Sequence, residues 1–436
     1  MFAGYLGKTL DSITLSPSLL FYATGTVLIA RLLQALTWRW WFHPFASVPG
    51  PRLAAVSSLW QIWQDVFRDG DTARAIDKLH QEHNTDIIRI SPNHVHIKDP
   101  DFYFKLRFDK DPDFYSKLGV PHSILSADTK SARAMRSKAS AIVAPRDWGV
   151  AAHSQRGEEI NLFHTIRTIS TDIICNLCFG FAPGFVKRPE DASQLFNVLD
   201  MCLEGLWFTV HIPYLAEYLN RLPKWLLKIL LPGLTYFKNQ SGEWVDETLR
   251  NSRNSSVEDR KTTIMDALNP SPNQNIGTAD RDWLIDQANT FVFAGVDTTS
   301  TMLMYTFHKV LSSREIHSRL QHELRNANIS IQEGYDWKAV RDLPYLTAVI
   351  KEGLRLSAVI PGRLPRTVPA GGVEYKETFL PGTVVSSTIY SMHHNSTIFP
   401  DPDIFSPDRW LAENSVELER YNVAFSKGKR SCIGMK

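Results

Sequence analysis

The first ordered pattern in this chain is an apolar run, LSPSLLFYATGTVLIARLLQAL, over residues 15–36. At ~1.5 Å rise per residue it is long enough to span a bilayer as a helix. Arg31 interrupts it toward one end, where its stem can carry the charge out to the interface. Trp38, Trp40, Trp41 and Phe42 follow, with Arg39 among them, and aromatics beside a span belong at the headgroup level. The pattern predicts a single N-terminal transmembrane helix, with residues 1–42 as a membrane anchor. Lys8 and Asp11 precede the run, while Arg31, Arg39 and Arg52 lie in or after it. By the positive-inside rule the bulk of the chain then faces the cytosol. A cleaved signal peptide and a buried core helix are the alternatives, though no small-residue cleavage site follows the run. Residues 43–52 contain His43-Pro44-Phe45 and Pro49-Gly50-Pro51. Prolines fix φ and lack a donor, so this stretch reads as a stiff, non-helical hinge.

From Asp71 the apolar spacing is mostly helical. A short β region is expected at Ile87 to Ile90 and His94 to Ile97, with Ser91-Pro92-Asn93 as its turn, and a second around Val373 to Tyr375 and Thr383 to Ser387. Residues 251–277 are polar and rich in Ser, Asn and Pro, and read as a loop. The fold class is therefore mainly α with a minor β region. Asp282 to Leu311 reads as one very long helix with an odd middle. Ala294 and Gly295 remove bulk there, and Asp297-Thr298-Thr299-Ser300 places an acid and hydroxyls among apolar turns. Such hydroxyls can bond back to the carbonyl four residues earlier. Polar groups in a buried helix are costly unless satisfied, which makes this cluster a functional candidate. A harmless polar turn on a solvated face is the alternative.

Composition narrows the picture. The chain has 436 residues, with Lys+Arg 48 against Asp+Glu 46 and a formal net charge of +2. That balance argues against an extended nucleic-acid surface. No low-complexity linker or internal repeat divides the interior, so residues 53–436 read as one domain. Four cysteines in so long a chain do not make a disulfide scaffold. Cys175 and Cys178 form a C-x-x-C, which could be a redox pair or half a zinc site. No histidine follows and no second C-x-x-C exists. The apolar helical spacing of Thr171 to Gly180 favours a buried helix.

The strongest chemistry lies in Phe425 to Gly434, FSKGKRSCIG. Cys432 is a lone cysteine in a glycine-rich basic loop. A cysteine thiolate is the haem ligand that favours O–O cleavage. Gly428 permits φ > 0, Arg430 offers a positive fork to a carboxylate, and Gly434 clears space beside the sulfur. A structural cysteine in a basic turn is the bland alternative.

This stretch resembles the haem-binding loop of the cytochrome P-450 family, F-x-x-G-x-R-x-C-x-G, at Phe425, Gly428, Arg430, Cys432 and Gly434. AGVDTT, Ala294 to Thr299, is similar to the family's oxygen-activation motif. In KEGLRL, Glu352 and Arg355 stand at i,i+3 and share a helix face. With Arg409 of Pro407-Asp408-Arg409-Trp410 they resemble the family's structural Glu-Arg-Arg triad. Arg366 resembles a propionate-binding arginine on a strand. Arg136 resembles another on an earlier helix, although Ala132 stands where the family often has Trp or His. Residues 40–55, WWFHPFASVPGPRLAA, resemble microsomal fungal members.

The resemblance implies a cytochrome P-450 fold and a haem-thiolate monooxygenase that oxidises an apolar small molecule, of terpenoid or polyketide type, with O₂. Cys432 would be the axial iron ligand, Asp297 and Thr298 the proton path, and Ala294 and Gly295 part of the haem site. No flavin or dinucleotide fingerprint is present, so NADPH enters only through a flavoprotein reductase. Lys427 and Lys429 could dock its acidic face, or be merely solvated. The implied location is the endoplasmic reticulum membrane, facing the cytosol. A haem-thiolate dehydratase or isomerase is disfavoured by Asp297-Thr298. Family members continue past the cysteine with a helix and a β hairpin, whereas this sequence stops at Lys436. That departure carries the expectation of a truncated chain with weak haem retention. A non-catalytic membrane-bound remnant or haem-binding protein is therefore the alternative function.

Overall fold

The computed structural model describes residues 17–105, 108–118, 123, 159–212, 214–254, 263–269, 278–327 and 337–435. Helix α1 (Pro17–Thr37) runs straight into a π turn at Trp38–Phe42. The stretch Leu20–Phe42 is long and apolar enough to cross a membrane, and none of it is buried in the protein. Phe21, Leu28, Leu32, Trp41 and Phe42 all stand exposed along it. A core helix would cover such side chains.

The proline-containing segment 43–52 is fixed by an arginine that the sequence did not single out. Arg89 sits in strand β1 (Ile87–Ser91), 2 % exposed, and donates to the carbonyls of Arg39 (3.1 Å), Phe45 (3.3 Å) and Pro92 (3.0 Å). Its own N–H donates to Pro49 O at 2.8 Å. Gly50 lies so close that a Cβ would press on the Arg89 carbonyl. One buried guanidinium thus ties the carbonyls of Arg39, Phe45 and Pro92 to strand β1.

A small sheet follows. Strand β2 (His94–Ile97) pairs antiparallel with β1. Strand β3 (Arg366–Thr367) comes after the helical body, then a hairpin of β4 (Val373–Tyr375) and β5 (Thr378–Leu380), then β6 (Val384–Ser386). The sheet order is β1-β2-β6-β3, with β6 parallel to β2 and antiparallel to β3. This joins residues nearly three hundred positions apart and sets Arg366 at the sheet edge.

The helical body contains α2 (Thr72–His83), α3 (Leu162–Phe179), α4 (Ser193–His211), α5 (Pro232–Asn254), α6 (Thr278–Ser312), α7 (Arg314–Asn326) and α8 (Pro344–Leu356). Helix α3 is capped by the Asn161 side chain, which accepts from His164 N–H at 3.0 Å, and ends at Gly180 with φ 83°. Helices α3, α4, α5 and α6 share one core that holds Leu195, Leu199, Phe237, Trp244, Leu284, Val292 and Val296. Cys175 and Cys178 lie wholly inside it, both unpaired, and burial pushes both thiols up. They are core residues of a buried helix.

The long helix α6 is continuous, and the expected back-bonds are there. Thr298 Oγ1 donates to Ala294 O at 2.7 Å and Ser300 Oγ to Val296 O at 2.6 Å. Gly295 packs against α3, where a Cβ would meet Ile174 at 2.7 Å. Gly353 does the same for α8 against Thr306 of α6.

The expected loop over 251–277 needs correction. Residues 251–254 complete α5, and Ile264–Leu268 form a short helix. The cause is a capping box, with Thr263 and Asp266 satisfying each other's backbone N–H. The T-x-x-D signal was present in a stretch judged on overall polarity.

Candidate functional site

The site is framed by Glu352. Its Oε1 accepts from Arg355 Nη2 (2.8 Å), Ser406 N–H (2.9 Å) and Arg409 Nε (3.0 Å), and its Oε2 from Arg355 Nε (2.9 Å) and Trp410 Nε1 (2.9 Å). Burial alone would raise its carboxyl, but the Arg355 hydrogen bonds and charge outweigh it and hold the carboxyl below its usual range. Glu352, Arg355 and Arg409 therefore meet as one buried triad. Arg355 also donates to His393 O and Pro402 O at 2.7 Å. His393 continues the chain of contacts. Its Nδ1 bonds Arg355 O at 2.8 Å, and its Nε2 accepts from Val423 N–H at 2.9 Å. The triad is thus tied to a point two residues before Phe425.

From Val423 the chain turns tightly. Ser426 N–H donates back to Val423 O at 2.7 Å, and Ser426 itself has φ 57°. Gly428, with φ 80°, opens a single 3₁₀ turn through Arg430. The Cys432 N–H then donates to Phe425 O at 2.7 Å and closes the loop. A β-carbon on Gly434 would lie 3.7 Å from the Cys432 sulfur. Cys432 is exposed and unpaired. Its neighbour Ile433 packs against the core cluster to which Val292 and Val296 of α6 belong. The loop therefore lies against the same core as the polar middle of α6.

That middle has one open row. Val292, Val296 and Ser300 are buried, whereas Ala294 is exposed and Thr298 half-buried. Residues 294 and 298 stack on one helix face. Asp297 points elsewhere and bonds Arg167 of α3.

The cytochrome P450 family model matches residues 147–436. The cytochrome P450 monooxygenase aneF of Aspergillus aculeatus is 34% identical, the alignment covering 94% of this chain and 88% of that protein. The cytochrome P450 monooxygenase ankB of Aspergillus thermomutatus is 31% identical over 94% of this chain and 83% of its own. A Claviceps fusiformis relative named an inactive cytochrome P450 monooxygenase, cloA, is 30% identical over 90% of this chain and 81% of its own.

The chain belongs to the cytochrome P450 family.

The family implies a haem held by a cysteine thiolate, and the residues in place fit one. Arg366 is buried, and its described hydrogen bond is a long one, 3.4 Å to Tyr115 Oη. It has no carboxylate partner among the described residues. A buried guanidinium without an anion is expensive, and a carboxylate-bearing cofactor would resolve it. Arg366 and Arg430 both act on Tyr115, whose phenol burial pushes up and the two cations pull back. Tyr103, which donates to Ser426 Oγ at 3.4 Å, also feels Arg366. Strand β3, the cysteine loop and the segment around Tyr103 and Tyr115 thus converge. An accessible thiol, a cation-lined edge and the small Ala294 on an open helix row suit a flat macrocycle with acidic side groups. Arg136 lies outside the described residues.

Some residues escaped the sequence reading. Arg167 is 4 % exposed at its side chain and holds Asp297. A lone arginine in the apolar run of α3 was the available signal. Asp65 and Arg363 form a buried bidentate pair at 2.7 and 2.9 Å, with His211 on the same carboxylate at 2.6 Å. Asp65 and Arg363 stand 298 positions apart, and no local pattern announces such a pairing.

Proposed function

We propose that this cytochrome P450 is a membrane-anchored haem-thiolate monooxygenase acting on an apolar small molecule. The observation that carries this reading is the unpaired, exposed Cys432 in a loop closed onto Phe425 and tied through His393 to the Glu352 triad. When bound, the haem would supply the chemistry that places one atom of O₂ in a C–H bond and releases the other as water. Cys432 would hold the iron, and Arg366 and Arg430 the acidic side groups. Phe425, Gly428 and Gly434 give the loop its shape, and Ala294 keeps the facing helix row low.

Thr298 and Asp297 carry the proton work. The Thr298 hydroxyl has its donor satisfied at Ala294 O, and its lone pairs remain to accept a proton-donating neighbour. Asp297 is pushed above the usual carboxylate range by burial, which Arg167 offsets in part and Asp200 reinforces. An acid shifted toward neutrality is suited to proton exchange. Electrons would come from an NADPH-dependent flavoprotein reductase, for which the exposed Lys427 and Lys429 offer a basic docking edge. The exposed apolar α1 supports membrane anchoring, while the endoplasmic reticulum and a cytosolic domain rest on the family resemblance and on the basic residues in and after the span. A terpenoid or polyketide substrate rests on the resemblance of residues 40–55 to fungal members.

A second reading, a haem-binding protein without catalysis, draws support from the relative named inactive. Reduced, haem-loaded protein should give the red-shifted CO Soret band of thiolate ligation, and Cys432→Ala should abolish it. Retention of that band in the variant refutes the ligand assignment. NADPH-driven oxygen uptake with added reductase, diverted to hydrogen peroxide in Asp297→Asn and Thr298→Ala, separates the catalytic reading from the non-catalytic one.

A further inference from the structure

Two buried arginines, Arg363 and Arg366, stand three residues apart in the link from α8 to β3. They are partnered in opposite ways. Arg363 donates through Nη1 and Nη2 to the two oxygens of Asp65, at 2.9 and 2.7 Å. Asp65 lies in a π turn, Trp63–Phe67, ahead of α2, and its side chain is wholly buried. The same carboxylate bonds His211 Nε2 at the end of α4 (2.6 Å) and accepts from the Thr72 hydroxyl at the start of α2. Burial would raise the Asp65 carboxyl, but the Arg363 charge and the three partners' hydrogen bonds outweigh it and hold it down to about 2. Gln61, one turn earlier, bonds His94 of β2 at 3.3 Å, so the turn that bears Asp65 is itself fixed to the sheet. Arg366, in contrast, has no carboxylate among the described residues and a long bond to Tyr115 Oη.

The residue between the paired arginine and Pro365 is the odd one. Leu364 has φ 45°, toward the left-handed region that bulky side chains rarely adopt. Gly362 would take such a conformation without strain, yet its φ is not positive. Strain of this kind persists only where the surroundings over-determine it. Downstream, Pro365 O accepts from Asp111 N–H at 3.2 Å and Thr367 N–H donates to Asp109 O at 3.0 Å. Strand β3 is only two residues long, however, and Arg366 is its first. Upstream, residues 357–365 lie outside helix and strand, and the bidentate pair with Asp65 is what ties Arg363 down. Phe114 beside Arg363 and Tyr115 beside Arg366 are neighbours on the short helix Pro112–Ser116, which brings both guanidiniums against one element.

We propose that Asp65 is a positioning residue for Arg366. Its pair with Arg363 holds Leu364 in the strained turn and so sets the direction in which Arg366 meets the acidic side groups of the haem. The proposal rests on the reading of Arg366 as a holder of those groups. The fold gives its buried acid to Arg363 and leaves the charge of Arg366 to the cofactor. A segment ahead of α2, remote in sequence from the cysteine loop, thereby takes part in seating the haem.

The test uses the haem-loaded full chain and two readouts other than turnover. One is the resonance Raman bending band of the haem propionates; the other is the rate of haem transfer to an excess of apoglobin. Asp65→Asn should shift the band in the direction that Arg366→Ala does and speed haem release about tenfold, the worth of one charge-assisted hydrogen bond. In an Arg366→Ala background the same substitution should add less than about twofold, because its effect runs through Arg366. Its effect should also shrink in a Leu364→Asn background, since asparagine accepts the left-handed region more readily. The packing lost with Leu364 is common to both members of that comparison and cancels. A pair that only stabilised the fold would lower the unfolding midpoint, leave the propionate band in place and add in full to Arg366→Ala. If Asp65→Asn does not fold, the double variant Asp65→Asn with Arg363→Gln, which leaves no buried charge unpaired, is read in its place with the same expectations. An unmoved band, or full additivity in either background, overturns the proposal. If Arg366→Ala itself moves neither readout, the placing of Arg366 at the haem is wrong and the proposal falls with it, an outcome distinct from a moved Arg366→Ala and an unmoved Asp65→Asn.

Discussion

Glu352 and Asp297 are both carboxylates held by an arginine inside the helical body, and they end in opposite states. Glu352 lies on α8 with both oxygens filled, by Arg355, Arg409, Trp410 and the Ser406 N–H. Asp297 lies on α6 with one oxygen filled by Arg167 and the other buried and empty. Burial pushes both carboxyls up. At Glu352 the hydrogen bonds and charges win, and the carboxyl sits low; at Asp297 burial wins, and it sits high. The same pair of residue types therefore makes a filled joint in one place and a carboxyl with a buried, empty oxygen in the other. What separates them is whether every lone pair has a donor, not whether an arginine is present.

The largest effect should come from breaking the filled joint. Glu352→Ala leaves Arg355 and Arg409 as buried cations without an anion and strips the Trp410 indole of its acceptor. Removing one partner of such a pair costs about 3–5 kcal/mol. Soluble yield should collapse, and no thiolate CO band should form, because His393 and Val423 lose the frame that sets the cysteine loop. A variant that folds and binds haem like the parent would show that the triad is dispensable.

These two sites also differ in how far the sequence revealed them. Glu352 and Arg355 are one helical turn apart, so local spacing carried that pair, and only the resemblance of Pro407 to Trp410 to a family segment added Arg409, 57 positions away. Local spacing also carried the Cys432 loop, β1 with β2, and the back-bonding hydroxyls of α6, which all depend on neighbours a few residues away. Arg167 and Asp297 are 130 positions apart, and the side of α3 that faces α6 cannot be read from either helix alone. Arg89 was legible as a strand residue but not as the clamp of segment 43–52, because its acceptors are backbone carbonyls that any sequence would supply. Gly295 read as missing bulk, and the neighbour packed against it, Ile174 of α3, lies far away in the sequence. The short helix at Ile264–Leu268 was missed because bulk polarity outweighed a four-residue cap.

Acid sharpens the contrast, with a smaller effect. His393 links Arg355 O to the Val423 N–H, and that role needs a neutral ring with Nε2 free to accept. Burial first, and then the Arg355 charge, hold its pKa down to about 3, against an ordinary 6.5. Above pH 6.5 the ring is neutral in both the folded and unfolded chain and contributes nothing to pH dependence. Below it the unfolded chain takes up a proton that the folded chain refuses, so stability falls as pH falls toward about 3. The slope from one such group approaches about 1.4 kcal/mol per pH unit. His94, also held to about 3 by burial, adds a second. His393→Gln should flatten the acid limb of a denaturant-midpoint profile by close to one proton. An acid limb as steep as the parent's would show that the His393 ring does not carry this load.

The smallest change in stability is expected at Asp297, and there the comparison is most exposed to refutation. Glu352→Gln and Asp297→Asn remove the same charge from what look like equivalent ion pairs. At position 352 the amide cannot fill both donor-facing positions, since its nitrogen must meet Arg355 or Trp410 donor to donor. That substitution should cost several kcal/mol, of the order given by loss of a buried partner. At position 297 the amide oxygen can keep the Arg167 bonds while the nitrogen takes the empty Oδ2 place, and Arg167 keeps its charge partner in Asp200. The expected change in midpoint is equivalent to less than about 1 kcal/mol, the scale of a single neutral hydrogen bond. The acid response should differ as well. A carboxyl raised in the folded state holds more protons there than in the unfolded chain, so it gains stability as pH falls through its folded pKa; Asp297→Asn should therefore steepen the acid limb, while electron flow to hydrogen peroxide rises. If Asp297→Asn instead unfolds the protein as Glu352→Gln does, Asp297 is a structural joint like Glu352, and the empty oxygen has no part in moving protons.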